Sequence, residues 1–106
     1  MKNHGTWSYY TPAEYPPGWP ENAIYWKREA DGEDWYQWTR ENWNVENGVD
    51  SSGTMKIIVV NNVATMKSLD VTGLAGPSPF DLYELEPGDT VPQLLWVLVD
   101  GQFQAP

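Results

Sequence analysis

Three groups of residues in this chain have types and spacings that chemistry can use. The first is a lone imidazole, His4, with no cysteine anywhere in the 106 residues to join it. One histidine without a second ligand or a nucleophile motif gives no metal pair and no Ser-His-Asp triad. Gly-x-Ser-x-Gly, His-x-x-x-His and a Gly-rich phosphate loop ending in lysine are all absent. The second group is acidic: Asp31, Glu33 and Asp34 around Gly32, and Glu84, Glu86 and Asp89 further on. Carboxylate oxygens suit calcium, but this spacing is not that of an EF-hand loop. A carboxylate pair hydrolyses glycosides only inside a cleft, which a chain this short and rich in loops seldom builds. Both clusters therefore read as solvated turns. The expectation is a protein that is not an enzyme, with no catalytic residue, no metal and no cofactor. The third group is aromatic, seven tryptophans and six tyrosines. Such side chains supply large contact areas at low entropic cost and concentrate energy at interfaces.

Charge narrows what those aromatics meet. Fifteen acids against six basic residues leave a net charge of −9. Base stacking normally comes with cations that neutralise phosphates, so direct nucleic-acid binding is not expected, nor is an anionic membrane. A basic or neutral partner fits better. The N-terminal Met-Lys-Asn-His-Gly-Thr-Trp lacks the apolar core of a signal peptide, and no apolar run approaches the ~20 residues of a membrane span. A cytoplasmic or virion-associated location is the expectation.

The elements that position these residues divide the chain in two. Residues 1–53 hold eleven of the fifteen aromatics but only four of the twenty-two Ile, Leu, Val and Met. Residues 54–106 reverse that balance, and Asn47-Gly-Val-Asp-Ser-Ser-Gly53 between them has loop composition. In the second half, Thr54–Leu69 reads as a central hairpin turning at Asn61-Asn62, both tolerant of the left-handed backbone of a type I′ turn. That register sets Met55, Ile57, Val59, Ala64 and Met66 on one face and Ile58, Val60, Val63 and Thr65 on the other. Two apolar faces predict a hairpin covered on both sides. The same register opposes Lys56 to Lys67, a repulsion that requires either an intervening acid or a shifted register. Another hairpin follows, with a strand over Gln93–Val99, a turn at Asp100-Gly101 and a return at Gln102–Gln104; Leu94, Trp96, Leu98 and Phe103 share a face. Phe80–Glu86 reads either as a short helix capped by Ser78 with Pro79 at its first position, or as a strand entering the Pro87-Gly88 turn.

In the first half, Trp7–Tyr10 is expected as a short edge strand and His4 as part of a loose N-terminus. Thr11–Pro20 holds four prolines and cannot join a ladder. Pro16-Pro17-Gly18-Trp19 resembles the opening of a WW domain. The resemblance stops there, because Trp35-Tyr36-Gln37-Trp38 lacks that family's paired tyrosines, histidine and threonine. Ala23–Arg40 reads as the remaining hairpin. A three-residue loop, Asp31-Gly32-Glu33, opposes Trp26 to Trp38 and Arg28 to Tyr36 and avoids setting Glu29 against Asp34. Trp26, Arg28, Tyr36 and Trp38 then share one face.

The fold expected is mainly β: one domain over 1–106, a small antiparallel sheet, sandwich or barrel of three hairpins with at most one short helix. The function expected is non-catalytic. A Trp/Tyr-rich surface built from Trp19, Trp26, Arg28, Tyr36, Trp38 and Trp43 docks another protein chain, or a second copy, as in accessory proteins of a phage or virus particle. The alternatives are a carbohydrate-binding module with tryptophan platforms and an acidic mimic of nucleic acid that occupies a basic groove. Against both stands a bland reading, in which the aromatics are a mini-core that replaces missing aliphatics.

Overall fold

The computed structural model describes residues 1–21, 23–74 and 76–106. Seven antiparallel strands form one sheet. They are β1 (Lys2–Tyr10), β2 (Tyr25–Arg28), β3 (Lys56–Val60), β4 (Val63–Ser68), β5 (Phe80–Glu84), β6 (Val97–Val99) and β7 (Gln102–Gln104). Their order across the sheet is β2-β1-β5-β3-β4-β6-β7. One helix, α1 (Trp35–Trp43), and a 3₁₀ turn at Val71–Gly73 complete the regular structure of the described residues. The mainly-β expectation therefore holds, with the one short helix placed where a strand was expected.

The central hairpin forms as its sequence requires. Asn61 and Asn62 take φ of 50° and 64°, and Val60 pairs with Val63 and Val59 with Ala64. A bulge at Thr65 then shifts the ladder, so Ile58 faces Met66, Ile57 faces Lys67 and Lys56 faces Ser68. This removes the Lys56–Lys67 opposition. It also corrects the expected faces, because an extra residue flips every later side chain. Met66 now packs with Ile58 and Val60, away from Ile57, Val59 and Ala64. Ile57, Ile58 and Val59 have no exposed surface, so the hairpin is covered on both sides as its two apolar faces demand.

Each face of β3 has its own core. Ile58 joins Leu82, Phe80, Trp7, Trp26, Trp35 and Trp43 beneath α1. Ile57 and Val59 join Ala64 and Leu85, with Tyr83 and Phe103 packed against them. The Tyr83 and Phe103 rings lie 6.1 Å apart although β5 and β7 are four places apart in the sheet. Adjacent strands are spaced by about 4.8 Å, so a flat sheet would separate those two by about 19 Å. The sheet therefore curls until its β6–β7 end closes over the second face.

Two strand expectations are corrected and one open choice is settled. β1 runs from Lys2 and lies between β2 and β5, so it is neither short nor an edge. Its ladder with β5 is irregular between Asn3 and Thr6, where Gly5 takes φ 91° and a Cβ would meet Arg28 Cδ at 2.8 Å. The strand expected over Gln93–Val99 shortens to Val97–Val99. Leu95 Nα donates to Ala64 O and Ala64 Nα to Trp96 O, and Leu95 sits at φ 72°. That irregular wrap leaves Leu94 and Leu95 exposed, so Leu94 does not join a buried face with Phe103. The Asp100-Gly101 turn forms as expected, with φ of 50° and 78°. Phe80–Glu84 resolves as a strand.

The largest correction is at Trp35–Trp43, which is helical. After β2 the chain turns through Asp31 and Gly32, makes one bridge between Lys27 and Asp34, and then coils. Asp34 caps the helix, its carboxylate accepting from Gln37 N–H at 3.1 Å, and Asn44 ends it at φ 50°. Trp35, Thr39 and Trp43 recur at helical spacing and are the buried stripe. The alternation Trp-Tyr-Gln-Trp-Thr-Arg is too short to outweigh that cap and stripe.

Candidate functional site

The expected aromatic face is absent because its second strand is absent, and its residues separate by depth. Trp26 and Trp43 are each 6% exposed and belong to the core, with Trp7 and Trp35. They cannot touch a partner directly. The core reading of the aromatics is thus correct for these four tryptophans. Trp38 is half-buried, its ring 5.4 Å from Trp7 and 5.2 Å from Trp43. Arg28 lies over it at 5.0 Å and over Trp7 at 5.4 Å, while its guanidinium is held by Asp31 at 2.7 and 3.0 Å. Arg28 and Trp38 do meet, but as a cation roofing the core.

Trp19 and Tyr36 differ. Trp19 stands in the proline-rich stretch and lies flat on Tyr25, with centroids 5.4 Å apart and planes within 9°. Tyr36 meets Tyr25 edge-on at 5.6 Å. With Pro20, Ala23 and Arg40 they enclose an open cleft of about 290 Å³ whose lining is mostly apolar. The phenol hydroxyls are committed to backbone: Tyr25 donates to Pro20 O at 2.6 Å and Tyr36 to Ile24 O at 3.3 Å. What the cleft offers is therefore ring surface. Burial raises the pKa of both phenols, so they stay neutral and apolar. Arg40, one helical turn beyond Tyr36, is the charged residue on the lining, and sequence reasoning did not single it out. Its signal was the i, i+4 spacing from Tyr36, legible only once the segment is helical.

A second, smaller cavity of about 180 Å³ lies on the other side of the Tyr36–Arg40 ridge. It is lined by both of those residues, by Trp26 and Thr39, and by Val71 and Leu74. The indole Nε1–H of Trp26 is buried with no acceptor among the described residues.

Two further polar groupings lie away from these cavities. Lys56 is fully buried and donates to Asp50, to the Ser52 hydroxyl and to Leu69 O, beneath the Trp43 ring. Its three N–H bonds are thereby all engaged. Burial would raise the Asp50 carboxyl, but bonds from Lys56, Ser52 and Val71 N–H hold it below the usual carboxylate range. Asp50 thus neutralises Lys56 alone; the Lys56–Lys67 opposition is removed by the shifted register, and Lys67 donates to Pro92 O at 3.0 Å. His4, expected in a loose terminus, is fixed in β1. Its Nε2 lies 2.8 Å from Glu84 Oε1, and its ring packs edge-on against Trp38 and Trp43. The Thr54 hydroxyl donates to the other Glu84 oxygen at 2.7 Å. Burial opposes ionisation of Glu84, yet the bonds from Thr54 and His4 bring its pKa below the usual value.

Among the described residues no three acidic or imidazole side chains converge as a metal cage, and no helix is long and apolar enough to cross a membrane. No protein-family model, curated protein or solved structure matches this chain.

Proposed function

We propose that this protein is a non-catalytic docking subunit that holds another protein chain at the Trp19–Tyr36–Arg40 cleft. The observation that carries the reading is the division of the aromatics. Four tryptophans are buried in the core beneath α1, whereas Trp19 and Tyr36, both half-buried and Tyr36 packed on the edge of that core, line an open apolar cleft. Aromatic and arginine side chains at an apolar depression are the residue types that concentrate binding energy between proteins. A sugar would need several directed hydrogen bonds from the cleft walls, and the Tyr25 and Tyr36 hydroxyls are already committed to backbone. The protein reading is preferred to the carbohydrate one for that reason. A small subunit of a larger particle, such as a phage or virus, is the setting that suits a short, acidic, cysteine-free chain.

The test is site-specific cross-linking. A photoreactive phenylalanine analogue at position 36 should give an adduct with a second chain in extracts of the source. The same analogue at Lys27, on the exposed side of β2, should not. Equal yields at both positions, or none at 36, would overturn the reading.

A further inference from the structure

The cleft also says something about the group it takes. We propose, resting on the docking reading above, that it binds a partner segment in which an apolar side chain lies beside a carboxylate, and that Arg40 is the anchor for that carboxylate.

The argument begins with an imbalance. Acids outnumber basic residues fifteen to six in this chain. Arg28 is nevertheless paired with Asp31 and Lys56 with Asp50. Lys2, Lys27, Lys67 and Arg40 have no carboxylate within ion-pair distance among the described residues, and Arg40 is the one of these four that lines the apolar cleft. The acid next to it in sequence, Glu41, accepts from Gln37 Nε2 at 3.3 Å. A guanidinium has five N–H donors. Arg40 spends one on Tyr36 O at 3.2 Å, and its plane rests over the Tyr36 ring at 5.5 Å. That arrangement sets the guanidinium beside the Tyr36 ring and leaves donors for an incoming acceptor.

The neighbouring observations agree. The larger cavity presents the Trp19, Tyr25 and Tyr36 rings, which suit an apolar side chain. A planar guanidinium matches a carboxylate through two parallel hydrogen bonds, which a lysine ammonium would not provide. The net charge of −9 does not forbid this. At physiological salt the field of distant acids decays within about 8 Å, so the groups lining the cleft decide.

The experiment uses the full chain and two probes of the same shape, 3-phenylpropionate and 3-phenylpropionamide. Binding is read from the ¹⁵N spectrum at the Trp19 indole and the Arg40 Nε. The acid should shift both signals and bind at least about tenfold more tightly than the amide. Arg40→Gln should abolish that preference while leaving weak binding of both probes, and its dispersed spectrum certifies the fold. Trp19→Ala should weaken acid and amide alike. Equal affinities for the two probes in the unmodified chain would overturn the carboxylate assignment and leave the docking cleft standing. Shifts absent from Trp19 with either probe, or centred on Lys2 or Lys27, would overturn the cleft itself.

Discussion

Replacing Lys56 with Met removes the buried cation while leaving its carboxylate partner in place. Lys56 and Asp50 side chains are both fully buried. Breaking such a pair from one side costs about 3–5 kcal/mol, because the remaining charge stays in a poorly polarisable site. Here the lower end applies. Asp50 keeps N–H donors from Ser52 at 2.7 Å and Val71 at 3.3 Å. A loss of about 3 kcal/mol is a large share of the ~5–15 kcal/mol that holds a domain folded. Adding Asp50→Asn to Lys56→Met removes the orphaned charge, so the double variant should be more stable than Lys56→Met alone, with a coupling of at least about 1 kcal/mol. Urea melts at pH 7 measure all three. The pH dependence supplies a second check. Asp50 ionises below the usual range in the folded chain, so its contribution is present above about pH 4 and is lost as pH falls through its folded value. Without Lys56 the buried carboxyl has its pKa raised, and acid protonates it at no cost to the fold. The stability gap between the two proteins should therefore narrow on going from pH 7 to pH 4. A loss under 1 kcal/mol for Lys56→Met, or additive effects of the two substitutions, would refute the buried-pair argument.

Other outcomes are expected on the same grounds. Ile57→Ala should cost about 2–4 kcal/mol in denaturant melts, since Ile57 has no exposed surface; a loss well under 1 kcal/mol would place it outside the core. Asp34→Ala should cost about 1 kcal/mol by removing the α1 cap, and it also takes the acceptor from the Tyr10 hydroxyl; no change in helical circular dichroism or melting would contradict the capping role. Hydrogen bonds hold the Glu84 and Asp89 carboxyls below their usual ranges, so what they contribute is present above about pH 4 and lost as pH falls through their folded values. The urea midpoint should accordingly be flat from pH 7 to 5 and fall below about pH 4, and a midpoint that rises in acid would reverse the sign.

How much of this could be read from the sequence depends on which interactions set each element. Both glycine- and asparagine-based turns, Asn61-Asn62 and Asp100-Gly101, were legible because they are set locally by left-handed backbone. The Lys56–Lys67 conflict was legible too. Its resolution was the second of the two expected routes, a shifted register produced by the bulge at Thr65. The bulge itself was not, since nothing in Val-Ala-Thr-Met marks where a residue is skipped. Trp35–Trp43 was misread because Trp26-opposite-Trp38 is attractive on cross-strand grounds alone. The Asp34-x-x-Gln37 cap and the Trp35, Thr39, Trp43 stripe point the other way. Of the six expected binding residues, the structure leaves Trp19 and Tyr36 on the cleft and puts Trp26 and Trp43 in the core. Arg28 and Trp38 roof that core. Long-range packing decided those depths, and composition carries no record of it.

The central claim is that Trp19 lines the proposed docking cleft while Trp7, Trp26, Trp35 and Trp43 belong to the core, and oxidative footprinting of tryptophan tests it most directly. In the isolated chain, Trp19 should oxidise readily and Trp7, Trp26, Trp35 and Trp43 should be protected. In the assembly recovered from the source, Trp19 should become protected too. A Trp19 that oxidises equally fast in the isolated chain and in the assembly would contradict the account.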